Sequence, residues 1–221
     1  MTAESSSPGA GAFSAASRGH VYLVEDEDSV RRSLALLLQL HGYAAVAFAS
    51  AEEFLAHGMR ARPACVLVDI RLPGISGLEL QARMAKERGA PPVLLMTAQG
   101  DAAIARTALL QGASDFLEKP IDEAELVRAL DSALDADAER GMAERERERL
   151  LDRLAALTRA EHELFESITS GRQMREIAFQ LGLPVAEVES RRLRLMEKLE
   201  ATRLADLVRM RFCADAGKLA G

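Results

Sequence analysis

Five short apolar runs constrain this chain more than anything else in it: His20–Val24, Ala44–Phe48, Cys65–Val68, Val93–Met96 and Asp115–Glu118. Each has the length of a strand, and four of them break off at polar side chains: Glu25 and Asp26, Asp69, Thr97, and Lys119. Between the runs, apolar residues recur at helical spacing, as in Val30, Leu34, Leu37 and Leu38, until His41-Gly42 ends the pattern. The same reading predicts helices over 50–56, which opens with Ser-x-x-Glu at Ser50 and Glu53, over 78–88, over 101–110, and from near Asp122 onward. Strands that alternate with helices over about 115 residues pair in parallel, and right-handed crossovers put the helices on both faces. The expected fold of residues 20–136 is therefore α/β, a doubly wound five-stranded parallel sheet.

The remaining segments read differently. Residues 122–157 contain no proline and only Gly141, so continuous helix there would extend about 50 Å. Leu126, Leu130 and Ala133 stand at 4,3 spacing, as do Leu150, Leu154 and Leu157. Between them the same register meets Asp137, Arg140, Glu144 and Arg147, which does not support an unbroken coiled-coil seam. Residues 137–156 are expected to be a solvated helical linker. From Thr158 the pattern is helical throughout, over 159–169, 173–181, 185–199 and 202–213, and Gly182-Leu183-Pro184 makes a tight turn that suggests helix-turn-helix. That predicts an all-α four-helix domain over 157–221. Residues 1–19 are rich in Ser, Ala and Gly without periodicity, the composition of a disordered tail.

Charge separates the two halves. The chain of 221 residues carries a net −6, and residues 20–136 hold 17 acidic against 11 basic side chains, whereas 157–221 hold 10 against 11. This balance excludes a protein that coats nucleic acid everywhere and suggests two modules with different partners. Two cysteines, Cys65 and Cys213, make neither a disulfide framework nor a four-cysteine zinc site, which fits a reduced, cytoplasmic setting. No apolar run approaches the roughly 18 residues of a membrane span.

In an open α/β sheet, ligands bind beyond the carboxyl ends of the strands, near the switch in strand order. Glu25, Asp26, Asp69, Thr97 and Lys119 all fall there. Carboxylates without His or Cys form a hard-oxygen site suited to Mg2+ or Mn2+. Phosphoryl transfer onto a carboxylate needs a nucleophilic oxygen, a divalent cation and fixed donors for the transferred group. Asp69 suits the first role. Asp26, with Glu25 and a backbone carbonyl near Arg71, suits the second, and Thr97 and Lys119 the third. An aspartyl-nucleophile hydrolase would place a second acid two residues after the nucleophile, where this chain has Arg71.

Val-Glu-Asp-Glu at 24–27, Val-Asp-Ile-Arg-Leu-Pro-Gly-Ile-Ser-Gly at 68–77, Met-Thr-Ala at 96–98 and Leu-Glu-Lys-Pro at 117–120 resemble the receiver domain of bacterial two-component response regulators. The resemblance covers residues 20–135. It implies that Asp69 is the phosphoacceptor, Glu25 and Asp26 the metal-binding acids, Thr97 the switch hydroxyl, Phe116 the aromatic switch residue, and Lys119 the lysine before a cis proline, Pro120. Glu25 stands where Asp is commoner. It also implies a sensor histidine kinase as phosphoryl donor.

Residues 157–210 resemble the LuxR-type helix-turn-helix of NarL/FixJ-like regulators, through Leu157-Thr158, Glu176-Ile177-Ala178, Leu181-Gly182-Leu183, Val188-Glu189 and Met196-Glu197-Lys198-Leu199. Glu187 stands where Thr is usual, Met174-Arg175 for Asn-Lys, and Arg191 for His. On the third helix, Val188, Leu195, Met196 and Leu199 form the buried stripe, leaving Glu189, Ser190, Leu193, Arg194 and Glu197 outward. Glu189, Ser190 and Leu193 are candidates for base edges, and Arg175, Arg191, Arg192 and Arg194 for phosphates. The expected function is phosphorylation-controlled binding of double-stranded DNA by a homodimer that acts on transcription through RNA polymerase. Leu204, Leu207, Val208 and Met210 of the last helix are expected to join the two modules. The alternative is an output domain that holds a partner protein instead of DNA.

Overall fold

The computed structural model describes residues 17–59, 61–98, 106–107, 109–110 and 112–218. They fall into two compact units that divide between Gly141 and Met142. In the first unit, strands β1 (His20–Val24), β2 (Ala44–Phe48), β3 (Ala64–Asp69), β4 (Val93–Thr97) and β5 (Asp115–Glu118) form one sheet in the order β2-β1-β3-β4-β5, all pairs parallel. Helices α1 (Asp28–Leu40), α2 (Ala51–His57) and α3 (Gly77–Met84) follow the first three strands, and α4 (Glu123–Ala155) follows the fifth. Most of the helix expected over 101–110 lies outside the described residues, although 106, 107, 109 and 110 are helical.

The central strands β1, β3 and β4 bury both faces because their side chains alternate across a sheet covered on both sides. Tyr22, Val24, Val66, Val68 and Leu95 pack with Phe54 of α2 and with Leu80 and Met84 of α3. Val21, Leu23, Cys65, Leu67, Leu94 and Met96 pack with Leu34 and Leu38 of α1 and with Leu126 and Leu130 of α4. Ser50 and Ser76 each accept a hydrogen bond from the backbone amide three residues on, at 3.2 Å, and so start α2 and α3. The helix expected to reach residue 88 ends at Met84, where tight turns through Lys86 and Glu87 replace it.

Two boundaries differ from expectation. Ser17 to Gly19, read as tail, lie on the sheet unit: the Arg18 amide donates to Gly42 O at 3.1 Å, and its guanidinium pairs with Asp131 over the Tyr43 ring. The rest of that tail, residues 1–16, lies outside the described residues. Asp137, read as the start of a solvated linker, is buried, and its Oδ2 accepts from the Ala64 amide at 2.9 Å. Arg62 Nη2 lies 3.9 Å from the other oxygen and offsets its charge. The helix therefore stays on the sheet as far as Gly141, which is also buried.

The second unit holds the end of α4 with α5 (Arg159–Thr169), α6 (Met174–Leu181), α7 (Val185–Lys198) and α8 (Leu204–Lys218). Leu164, Phe165, Ile168, Ile177, Ala178, Val188, Leu195, Leu199 and Leu207 form its core. Leu207 is thus unavailable for joining two modules, and Met210 packs partly against the same core. Leu204 and Phe212 are exposed large apolar residues of α8. Among the described residues no helix is long and apolar enough to cross a membrane.

Thr158 and Glu161 close a capping box at the start of α5: Thr158 Oγ1 accepts from the Glu161 amide at 3.3 Å, and Glu161 Oε2 accepts from the Thr158 amide at 2.8 Å. Lys198 Nζ donates to the same carboxylate at 2.7 Å, and mainly for that reason Glu161 titrates at about 2. Its folded pKa lies below the ordinary 4.5, so the ionised carboxylate stabilises this unit above that pH and the gain is lost as pH falls toward 2. Glu161→Gln is expected to flatten this acid limb in thermal unfolding of the full chain. Thr158→Ala should cost about 1 kcal/mol at neutral pH, read by denaturant unfolding.

Candidate functional site

The strand ends converge as their register requires. Asp69 is the last residue of β3 and Thr97 the last of β4, while Glu25 follows β1 and Lys119 follows β5. Glu25, Asp69 and Thr97 are buried and Asp26 is exposed. Carboxylate oxygens of Glu25, Asp26 and Asp69 all lie within 4.8 Å of one another. Lys119 Nζ donates to Glu25 Oε2 at 2.8 Å and to Asp69 Oδ2. The Lys119 amide donates to Thr97 O at 2.8 Å, and the bond from Lys119 to Pro120 is cis.

Burial is the main reason that Glu25 sits above the ordinary carboxylate range, against the pull of Lys119. Burial alone would lower the Lys119 ammonium, but hydrogen bonds to Asp69 and Glu25 outweigh it and hold the ammonium above its ordinary value. The other Asp69 oxygen, Oδ1, accepts from the Arg71 amide at 2.8 Å. Thr97 Oγ1 donates to Ala98 O at 3.2 Å. Phe116 is half-buried and packs against the core on the Tyr22 face. One ammonium against three carboxylates leaves two negative charges in excess, and the donors are all oxygen. That set fits a hard divalent cation.

Two further residues shape the loop after Asp69, and neither was assigned a role from sequence. Glu52 of α2 accepts from the Ile75 amide at 2.9 Å through Oε1, and this bond holds its carboxyl below the usual range. Gly77 lets α3 begin against β3: a Cβ there would lie 2.1 Å from the Asp69 carbonyl oxygen. A glycine directly before the helix expected from residue 78 can mark a close backbone approach, and that was the legible signal. Glu52 gave none.

On the helix-turn-helix, α7 buries Val188 and Leu195, half-buries Met196, and ends on the buried cap Leu199. Glu189, Arg191, Leu193, Arg194 and Glu197 are exposed, as is Arg175 on α6, and Ser190 is half-buried. Arg192 departs from its expected exposure: it is half-buried, and its Nε is inaccessible and lacks a hydrogen-bond partner. Phe179 on α6 is 91% exposed and was not singled out from sequence.

Comparison with known proteins agrees with both units. Residues 21–131 match the response regulator receiver domain, and residues 155–211 match the bacterial regulatory proteins of the luxR family. The transcriptional regulatory protein FixJ of Azorhizobium caulinodans is 38% identical over 194 residues, covering 88% of this chain and 92% of that protein. The transcriptional regulatory protein TdiR of Thauera aromatica is 34% identical over 203 residues, covering 90% and 89%. Among solved structures, the response regulator StyR matches with a TM-score of 0.75 at 34% identity over 86% of this chain and 96% of that one. Full-length FixJ from B. japonicum matches with a TM-score of 0.54 at 32% identity, over 90% and 98%. A receiver sheet with its acidic edge, followed by a LuxR-type helix-turn-helix, places this chain in the FixJ/NarL-type response regulators that control transcription.

Proposed function

We propose that Asp69 accepts a phosphoryl group from the phosphohistidine of a sensor kinase, and that this modification drives pairing of the protein and its binding to double-stranded DNA. The observation that carries the reading is the Asp69 carboxylate itself. One oxygen is held by Lys119 and the other by the Arg71 amide, with two further acids inside 4.8 Å. Glu25, Asp26 and Asp69, with the Arg71 carbonyl, would hold Mg2+ or Mn2+, which supplies charge neutralisation for the incoming phosphoryl group when bound. Transfer breaks the P–N bond of the donor and forms an O–P bond at Asp69. Lys119 Nζ, already on Asp69, is placed to follow the transferred oxygens.

Phosphorylation adds about −1.5 to −2 charge. Thr97, whose hydroxyl now bonds Ala98 O, then has a stronger acceptor nearby, and a shift of β4 at Thr97 reaches β5 through the Leu95 to Phe116 register. A phosphorylated pair places two helix-turn-helix units on half-sites about one helical turn apart, and effective concentration raises affinity. Arg175, Arg191 and Arg194 are the exposed candidates for phosphates, and Glu189, Ser190 and Leu193 for base edges. Recruitment of RNA polymerase and a cytoplasmic setting belong to the same reading.

Sedimentation with and without a small phosphodonor, beside DNA titration of the same samples, tests the sequence of events. The expected result is a monomer that becomes a dimer with Mg2+ and donor, and tight DNA binding by the dimer alone. A phosphorylated monomer that binds its site tightly would refute the pairing step. Failure to bind any duplex at low salt, where phosphate contacts are strongest, would favour a partner protein as the target of α5–α8.

A further inference from the structure

Most cations of α7 are already engaged. Glu187, in its first turn, accepts from Arg191 Nε at 2.9 Å through Oε1, and the same oxygen lies 3.8 Å from Arg194 Nη2. Arg194 Nη2 also donates to Ser190 Oγ at 3.2 Å. Lys198 is turned to Glu161 at 2.7 Å, and Arg192 has its Nε buried. A helix that carries Arg191, Arg192, Arg194 and Lys198 thus has three of its four cations paired with carboxylates of the same unit. Its exposed surface adds Glu189 and Glu197. The field this helix presents to a polyanion is weak for its arginine content.

Resting on the reading of this unit as a DNA-binding domain, we propose that Glu187 is a specificity-determining residue. It holds Arg191 and Arg194 in ion pairs that must be exchanged for phosphates, and so it suppresses binding to non-target duplex. Each surface ion pair is weak in water. Both must nevertheless open before Arg191 and Arg194 can reach phosphates, so one carboxylate weakens two contacts in the counterion release that drives non-specific affinity. Base-edge contacts from Glu189 and Leu193 do not draw on the two arginines. Target affinity therefore falls less than background affinity, and the ratio between them widens. Helix placement supports the charge state: the first turn of a helix favours a carboxylate, and the Arg191 hydrogen bond holds the Glu187 carboxyl below its usual range.

The test compares the phosphorylated full chain with its Glu187→Gln variant by fluorescence anisotropy. Two probes are used: a random-sequence duplex of about 30 base pairs, and a duplex enriched by the unaltered protein from a random pool. At about 50 mM salt the variant should bind the random duplex roughly three- to tenfold tighter, with a salt slope steeper by about one. The gain on the enriched duplex should be smaller. In an Arg191→Gln/Arg194→Gln background the same substitution should change little, because the cycle removes the partners. Glu189→Gln makes the same charge change without touching the ion pairs and should give the smaller effect on both readouts.

Equal binding and equal slope for Glu187→Gln and the unaltered chain would overturn the proposal, as would an equal gain in the double-glutamine background. If the unaltered chain binds the enriched duplex while Glu187→Gln is without effect, only this inference fails. If it binds no duplex at low salt, the DNA-binding reading fails with it. Coincident thermal unfolding of the variants separates these outcomes from misfolding.

Discussion

Asp69→Asn is expected to abolish labelling of the protein by acetyl phosphate in the presence of Mg2+, with no second site taking its place. The substitution keeps side-chain shape but removes the anionic oxygen that forms the O–P bond. The geometry makes the loss specific. The introduced carboxamide would keep its carbonyl oxygen on the Arg71 amide, the partner of Oδ1 now at 2.8 Å. Its NH2 would then face the Lys119 ammonium, donor against donor, where Oδ2 now accepts. Lys119 keeps Glu25 at 2.8 Å, so the sheet edge retains one ion pair, and the fold, whose core lies below this edge, is expected to persist. Label retained in Asp69→Asn would remove Asp69 from the role. Label lost together with cooperative unfolding would point to structure instead, which thermal denaturation of the same sample distinguishes.

The features legible in the sequence are those governed by local rules. Apolar runs with polar ends gave the central strands because a parallel strand buried on both faces has no exposed side chain until it leaves the sheet, whereas the edge strands β2 and β5 expose Val46, Ala47, Asp115 and Glu118. The site followed, since strand ends in such a sheet share one edge. What was not legible depends on long-range contacts or on position overriding residue type. Asp137 is polar and lies in a polar stretch, yet it caps an amide 73 residues earlier in the chain. Glu52 reaches Ile75 across 23 residues, and Arg18 reaches Asp131 across 113. No periodicity encodes such pairs. Arg192 is different, because its helical position was readable: it stands four residues after Val188 and three before Leu195, both buried. That puts it on the core stripe, where the long stem can pack, and its charge alone suggested otherwise.

Gly77→Ala is expected to damage both the stability of the sheet unit and its phosphorylation, more than its size suggests. The added methyl would sit 2.1 Å from the Asp69 carbonyl oxygen, 2.9 Å from its carbonyl carbon and 3.0 Å from the Ile70 Cα. These are backbone atoms of β3 and its exit, fixed by the Ile70 amide to Met96 O at 3.0 Å and by the Gly77 amide to Ile70 O at 3.1 Å. A flexible side chain could yield; a strand end hydrogen-bonded on both sides must be displaced. The cost should reach about 3 kcal/mol, the upper part of the range for overpacking a close-fitted interior. Gly58 supplies the comparison within the same unit. It has φ +68 and ψ +171 with open space around its missing Cβ, so Gly58→Ala meets backbone strain alone, about 2 kcal/mol. Denaturant unfolding of the two variants should therefore rank Gly77→Ala below Gly58→Ala. Phosphorylation separates them further, because moving the Asp69 carbonyl tilts the carboxylate away from Lys119 and the Arg71 amide, while residue 58 ends α2 away from both. Equal stability of the two variants, or normal labelling of Gly77→Ala, would show that β3 and α3 can part without disturbing Asp69.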